Sequence, residues 1–481
     1  MENLLAAPDY ALIRLIFERS MAVLYFVAFA SAHNQFPALL GDEGLLPVKE
    51  YLRYADMRRA PSLFHWKYSD RILRLVTVFG MGLSLLLAAG LFSGAPIVFH
   101  LLAWLVLYGL YLSIVNVGQE FYGFGWETML LEAGFFTAFM GPTWVTPSWI
   151  PIVVLRWMLF RTEMGAGLIK LRGDPCWRDL TCLYYHHETQ PLPNPLSRFF
   201  HHAPKWVHRS GVVFSHFVQL VVPLGLFLPQ PVSMVAGSLI ILHQLVLVVS
   251  GNYSWLNWLT IVLGILAFRD PTPAVGLAPI PAWFVAVQLG VGALVLFLSY
   301  RPFINLFSKN QLMNYCWNRF HLVGAYGAFG SVTKERYEIN LEGTSEASVT
   351  EETRWEEYTF KGKPVKLDRL PPVVAPYHLR LDWMIWFLPL TVFVSGNQIY
   401  VRGHEVWFLR LMMKLLTNEE KILRLFKESP FTDAPPKFVR ASFYRYCFTT
   451  TEEYRQSGNL WKRTKLGEFL PAISLKSFRG S

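Results

Sequence analysis

The feature that most constrains this chain is a repeated pattern of apolar runs. Between about residues 11 and 300, one run after another approaches the roughly 20 residues that an α-helix needs to span hydrocarbon. The runs at 11–32, 71–92, 96–116, 117–141, 148–171, 211–229, 232–250, 253–269 and 281–300 predict a polytopic α-helical membrane protein of about nine spans. Of the 481 residues, 53% are hydrophobic and 16% aromatic, with mean hydropathy +0.30, which is more apolar than an ordinary soluble chain. A soluble fold would have to bury every run as a core helix. The first run has acidic neighbours and lacks a small-residue cleavage site, so it is expected to be retained as a helix. The net charge of +10 is scattered through loops beside Trp and Tyr. That pattern suits a headgroup-facing surface, so membrane lipid is the expected contact and nucleic acid is not. Neither GxxxxGK nor GxSxG occurs, and no inverted repeat suggests a transporter.

One stretch breaks the apolar rule. From Arg156 to Pro195 the chain reads RWMLFRTEMGAGLIKLRGDPCWRDLTCLYYHHETQPLPNP, an apolar helix carrying Arg156, Arg161, Glu163 and Lys170 that runs into a polar loop. Charge at membrane depth is costly unless paired or hydrated, so these side chains are functional candidates. Arg156, Glu163 and Lys170 stand seven apart and share one helical stripe, neighbours separated by about 10 Å. Glu120 and Glu127 are also seven apart in the preceding run, with Glu132 a little further on. If the two helices cross antiparallel, these carboxylates neutralise Arg156 and Lys170, giving either a charge-paired brace or a ligand pocket. A lysine in an apolar pocket loses proton affinity and can act as a base near neutral pH. The candidate catalytic set is therefore Lys170, Glu163, Arg156, Glu127 and Glu120. Gly165 and Gly167 would let a neighbouring helix come close. Arg14 and Glu18, one turn apart, fit either a local pair at a helix end or an inward-facing cluster.

The loop that follows supplies a second group. Cys176 and Cys182 form a disulfide if the loop faces an oxidising compartment and are buried thiols otherwise. Arg172, Asp174, Trp177, Arg178, Asp179, His186, His187 and Glu188 are the remaining loop candidates. No metal site is expected from His186, His187, His201 and His202, because adjacent histidines chelate one ion poorly and no ligand spacing is diagnostic. His216 and His243 read as hydrogen-bonded interior histidines. The Asn252-Tyr-Ser254 sequon sits in a very short inter-helix turn and carries no weight.

From Arg301 charges rise and apolar runs shorten. SVTKERYEINLEG, WEEYTFKGKPVKL and PYHLRLDWMIWF alternate and are aromatic-rich, which predicts strands. EVWFLRLMMKLLTNEEKILRLF has helical spacing, and KFVRASFYRYCFTT returns to alternation. The expected division is a helical membrane domain at 1–300, with polar loops at 33–70 and 172–210, followed by a soluble, mainly β domain at 301–481.

GAGLIKLRGDPCWRDLTCLYYHHETQPLPNP closely resembles the lipase maturation factor family. The likeness continues through SGNYSWLNWLT, YGAFGSVTKERYEINLEGT, WEEYTFKGKP, PYHLRLDWMIWF and SPFTDAPPKFVRASFYRYCFTT, covering nearly the full chain. This resemblance implies a membrane-resident maturation factor whose client is a lipase or another secreted protein. It also implies residence in the endoplasmic reticulum in a eukaryote or the inner membrane in a prokaryote. The 33–70 loop, the 172–210 loop and the C-terminal domain share one face, rich in Lys and Arg, that the positive-inside rule would place in the cytoplasm. Long domains count for little in that rule, and the resemblance implies the non-cytoplasmic side. A second, weaker resemblance joins RLIFERSMAVLYFVAF, GDEGLLP and AGLIKL to the membrane core of the vitamin K-dependent carboxylase superfamily. It implies, as the alternative function, a membrane enzyme acting on a quinone or other lipophilic substrate with Lys170 as base. No cofactor is expected, with a lipid or quinone as the ligand class left open.

Overall fold

Helices stand at each of the nine apolar segments in the computed structural model, which describes residues 5–395 and 398–479. They are α1 (Ala11–Leu39), α2 (Asp70–Ala88), α3 (Ile97–Asn116), α4 (Gly125–Thr137), α5 (Trp149–Arg172), α6 (Lys205–Leu220), α7 (Val232–Ser250), α8 (Leu256–Ile265) and α9 (Ala282–Phe307). Among the described residues five are long and apolar enough to cross a membrane: α2, α3, α6 with its continuation to Phe227, α7 and α9. The chain is an integral membrane protein, but the count of nine crossings does not follow from length and composition. α1 and α5 are long but charged. α4 and α8, at 1.5 Å per residue, reach only about 20 and 15 Å against a hydrocarbon core of about 30 Å.

Local chemistry sets where these helices begin. Ser69 and Ser148 cap α2 and α5, each side-chain oxygen accepting a backbone N–H of the first turn at 3.3 Å. Pro96, Pro204, Pro231 and Pro281 stand immediately before α3, α6, α7 and α9. There the missing N–H removes no helical bond.

The inter-helix segments collect into two layers. In one, Arg14 donates to the carbonyls of Val145 and Thr143 at 2.9 and 3.0 Å, Asp270 accepts from the amides of Leu12 and Ile13, and Thr143 donates to Ser93. In the other, Gln119 donates to Leu46, Asn116 to Pro61 and Arg319, and Asn252 to Pro193 and Pro372. Arg14 and Glu18 are both buried and serve different partners, Glu18 lying 3.4 Å from His100. The sequon side chain Asn252 is 2% exposed and is held at both ends, since Val374 and Ala375 donate to its oxygen.

Among the described residues the C-terminal region holds a four-stranded antiparallel sheet and two two-stranded ones, and the four-stranded sheet is its largest. The strands of that sheet are β1 (Arg336–Thr344), β2 (Glu356–Glu357), β3 (Phe438–Phe448) and β4 (Trp461–Ile473), in the order β2-β1-β3-β4. Register pairs Asn340 with Ser442 and Tyr446 with Arg463. α11 (Val406–Leu416) buries Trp407, Phe408, Leu411, Met412 and Leu415. One expected strand is wrong: PYHLRLDWMIWF forms a helix, α10 (Arg380–Phe387). Its large side chains, Trp383, Trp386 and Phe387, recur three and four apart, so they share one helical face. The apolar core is continuous across both regions, from Ala7 to Leu470. The segment after α9 folds back on the helices, where the Gly324 amide and Tyr326 hydroxyl both donate to Glu132 of α4.

Candidate functional site

Lys170 is the centre of a buried polar chain. Its ammonium donates to Gln219 Oε1 at 2.8 Å and Ser215 Oγ at 3.1 Å, both on α6, and lies 4.6 Å over the Trp177 ring. Gln219 turns its amide N–H to Glu163 Oε2 at 3.1 Å. Gln244 of α7 donates to the other oxygen, Oε1, at 2.8 Å, and Asn257 of α8 donates to Gln244 at 2.6 Å. Glu163 and Lys170 are thus joined through Gln219, with no ion pair between them among the described residues. Gly167 permits the approach, since a Cβ there would meet Leu220 and Gln219 of α6. At Gly165 the partner is not a helix: a Cβ would overlap the Tyr326 carbonyl oxygen.

The expected pairing of Glu120 and Glu127 with Arg156 and Lys170 is not what forms. Glu127 lies in the first turn of α4, at the end facing the C-terminal region, and meets Arg380 Nη1 of α10 at 2.7 Å. Tyr111 also donates to it, and His378 Nδ1 lies 3.6 Å away. Glu120 falls in a 3₁₀ turn, Gln119–Tyr122, before α4 begins, so the helical period linking it to Glu127 is broken and its side chain is exposed. The carboxylate that does meet α5 is Glu132, paired with Arg161. Arg156 leaves the stripe: it donates to the carbonyls of Leu266 and Leu226 at 2.9 Å each and to the Tyr10 hydroxyl at 2.7 Å.

The loop residues assemble beside this chain. Cys176 and Cys182 are joined as a disulfide, their Cα atoms 4.7 Å apart. Asp174 caps the short helix Pro175–Arg178 that carries Cys176, accepting from the Cys176 amide at 2.9 Å, and Trp177 Nε1 donates to the Phe329 carbonyl at 2.7 Å. Arg172 reaches Gln311 and the Leu306 carbonyl, while Arg178 and Asp179 are exposed. Glu188 accepts from the Phe448 amide at 2.8 Å, and burial raises its carboxyl above the usual range. His186 bonds the Tyr253 hydroxyl at 2.9 Å, and burial with Lys170 nearby lowers it to about 4. Burial and neighbouring histidines hold His187 well below its ordinary value. His216 Nε2 bonds the Trp177 carbonyl at 3.1 Å, and the Nδ1 atoms of His187, His216 and His243 have no partner among the described residues. Those residues include no group of three or more side chains placed to hold a metal ion.

Lys170, Glu163, Ser215, Gln219, His243 and Gln244 open on a cavity of about 590 Å³. Its other walls are largely apolar and come from both regions, including Trp126, Met129, Phe214, Trp383 and Phe387. Ser215, Gln219, Gln244 and Asn257 went unnoticed in the sequence. Their signal was the polar interruption each makes in an apolar run, which is costly unless satisfied.

Residues 12–274 match the lipase maturation factor transmembrane domain, and residues 322–471 match the lipase maturation factor C-terminal domain. Lipase maturation factor 1 of Bos taurus is 39% identical over 99% of this chain and 91% of its own length. The chain belongs to the lipase maturation factor family. Lipase maturation factor 1 of Homo sapiens is 38% identical, covering 97% of this chain and 89% of that protein. Lipase maturation factor 2 of Homo sapiens is 28% identical over 96% of this chain and 82% of its own length. No solved structure matches. These similarities span both the helical region and the sheet.

Proposed function

We propose that this chain is a membrane-resident maturation factor that brings a secreted lipase, or a related secreted client, to its active folded state. The observation that carries this is the likeness to proteins named lipase maturation factor 1, which runs across 99% of the chain. It favours this reading over the carboxylase-like enzyme. The nine helices are taken as nine crossings, α4 and α8 completing theirs with irregular backbone buried among protein, where such backbone is tolerated in a membrane. The two layers of inter-helix contacts support this arrangement. The layer holding loops 33–70 and 172–210 and the sheet then faces the non-cytoplasmic side, the lumen of the endoplasmic reticulum in a eukaryote. The Cys176–Cys182 bond supports that orientation, because such bonds persist in oxidising compartments. The rigid sheet and its aromatic-rich surroundings would hold a partly folded client by burying its apolar surface. In cells synthesising a pulse-labelled secreted lipase, the labelled lipase is expected to co-purify with the tagged full-length chain early in the chase. It should dissociate as lipase activity appears. Absence of association at every chase time would count against the proposal.

A further inference from the structure

The cavity beside Lys170 has features that a mere packing defect lacks. It is polar at one side, where Lys170 and Glu163 sit, and aromatic or aliphatic over most of the rest. His187 and His243 line it, are 6% and 5% exposed, and leave their Nδ1 atoms without a partner among the described residues. Both nitrogens are therefore free to bond a molecule held in the cavity.

The mouth tells which way that molecule enters. Val207, Val246, Phe387 and Leu390 line the cavity yet are 37%, 41%, 38% and 53% exposed. Val246 belongs to an exposed stripe on α7 with Leu242, Leu245 and Val249, spaced three and four apart, on a helix apolar enough to face lipid. The opening is therefore an apolar lip beside the lipid-facing side of α7, suited to an acyl chain rather than to a water-soluble ligand. A volume of about 590 Å³ lies within the ~300–1,000 Å³ typical of small-molecule sites.

Charge selects the head. Lys170 and Glu163 are the charged residues among the described lining, one of each sign, and both are already bridged by Gln219. An anionic head would gain one charge and oppose the other. We propose that this cavity binds an uncharged amphiphile of the monoacylglycerol type, with its hydroxyl and ester oxygens near Lys170, His187 and His243 and its acyl chain leading to the mouth between α6 and α7. This inference does not depend on the identity of the client.

The test uses the full-length protein in lipid nanodiscs and a diazirine-bearing monoacylglycerol, with the matching diazirine fatty acid in parallel. The neutral probe is expected to label peptides of α6 or α7 and to be displaced by unlabelled monoacylglycerol. Ala166→Phe fills the cavity and should abolish displaceable labelling. His243→Leu, which removes a nitrogen that bonds nothing in the protein, should keep the thermal midpoint and weaken labelling by about five-fold, the worth of one hydrogen bond. If Ala166→Phe does not fold, His243→Leu decides. Labelling that is not displaced, or is unchanged in the folded variants, would mean a water-filled void and overturn the proposal. Stronger labelling of the same peptides by the fatty acid would overturn the uncharged head.

Discussion

At the scale of single residues, the buried charges sort by what they touch. Arg161 and Glu132 form a fully buried pair, and Glu132 also serves Gly324 and Tyr326. Removing one partner strands the other, so Arg161→Met should cost about 3–5 kcal/mol in thermal or denaturant unfolding. Adding Glu132→Gln, which keeps an acceptor but removes the charge, should recover part of that loss. A double variant no more stable than Arg161→Met would contradict this assignment. His378 sits among Phe124, Trp126, Trp255 and Trp383, and burial, with Arg380 nearby, lowers it from 6.5 to about 4. Between those values the unfolded chain binds a proton that the folded chain does not, so this residue makes stability fall as pH drops from about 6.5 to about 4. His201, also lowered to about 4, acts in the same direction. Asp382, raised from 3.8 to about 6 by burial, opposes them, its folded form holding the extra proton between those values. His378→Phe should therefore flatten the fall in unfolding midpoint between pH 6.5 and 4.5, and an unchanged slope would show that His378 does not set it. The sequence singled out Glu163, Lys170 and Glu127 as costly charges but set Glu127 against Arg156 and Lys170 and gave Glu163 no partner. Their partners, among them Arg380, Gln219 and Gln244, lie far along the chain, and helical periodicity carries no information about which distant segment docks on a face.

At the scale of elements, the helical runs were legible because apolar length is a direct requirement of hydrocarbon. Their ends were less so, since Glu120 looks continuous with Glu127 until the turn at Gln119–Tyr122 interrupts the period. α10 was misread because short aromatic stretches satisfy both the strand and the helix pattern, and β4, with its mixed charges in KRTKLGEF, offered no alternation to notice. Gly165 shows how an element's position can be tested. Alanine normally favours a helix over glycine, yet at Gly165 its Cβ would strike the Tyr326 carbonyl. Gly165→Ala should cost about 1–3 kcal/mol in unfolding free energy. Gly109→Ala in α3, where a Cβ meets nothing within 4 Å, should be neutral or mildly stabilising. Equal behaviour of the two would mean that the Tyr326 backbone does not pack on α5 at Gly165.

At the scale of the whole molecule, the helical region and the sheet are fastened by buried polar contacts. Arg380 reaches Glu127, and Arg336 donates to the carbonyls of Glu188 and Gln190 at 2.9 and 2.5 Å. Ser31 and Gln35 of α1 both donate to the His378 carbonyl. A sheet fastened to the helices by these contacts presents a fixed surface beside them, which suits the client engagement proposed above. This engagement is expected to yield active lipase. The direct measurement is the specific activity, activity per mass of secreted lipase, in cells lacking their own maturation factor and supplied with this chain and a secreted lipase from the same source. A several-fold rise in specific activity is expected, and Arg380→Leu, by loosening the sheet from the helices, should largely remove it. Unchanged specific activity, with the chain present in the membrane at normal abundance, would contradict it.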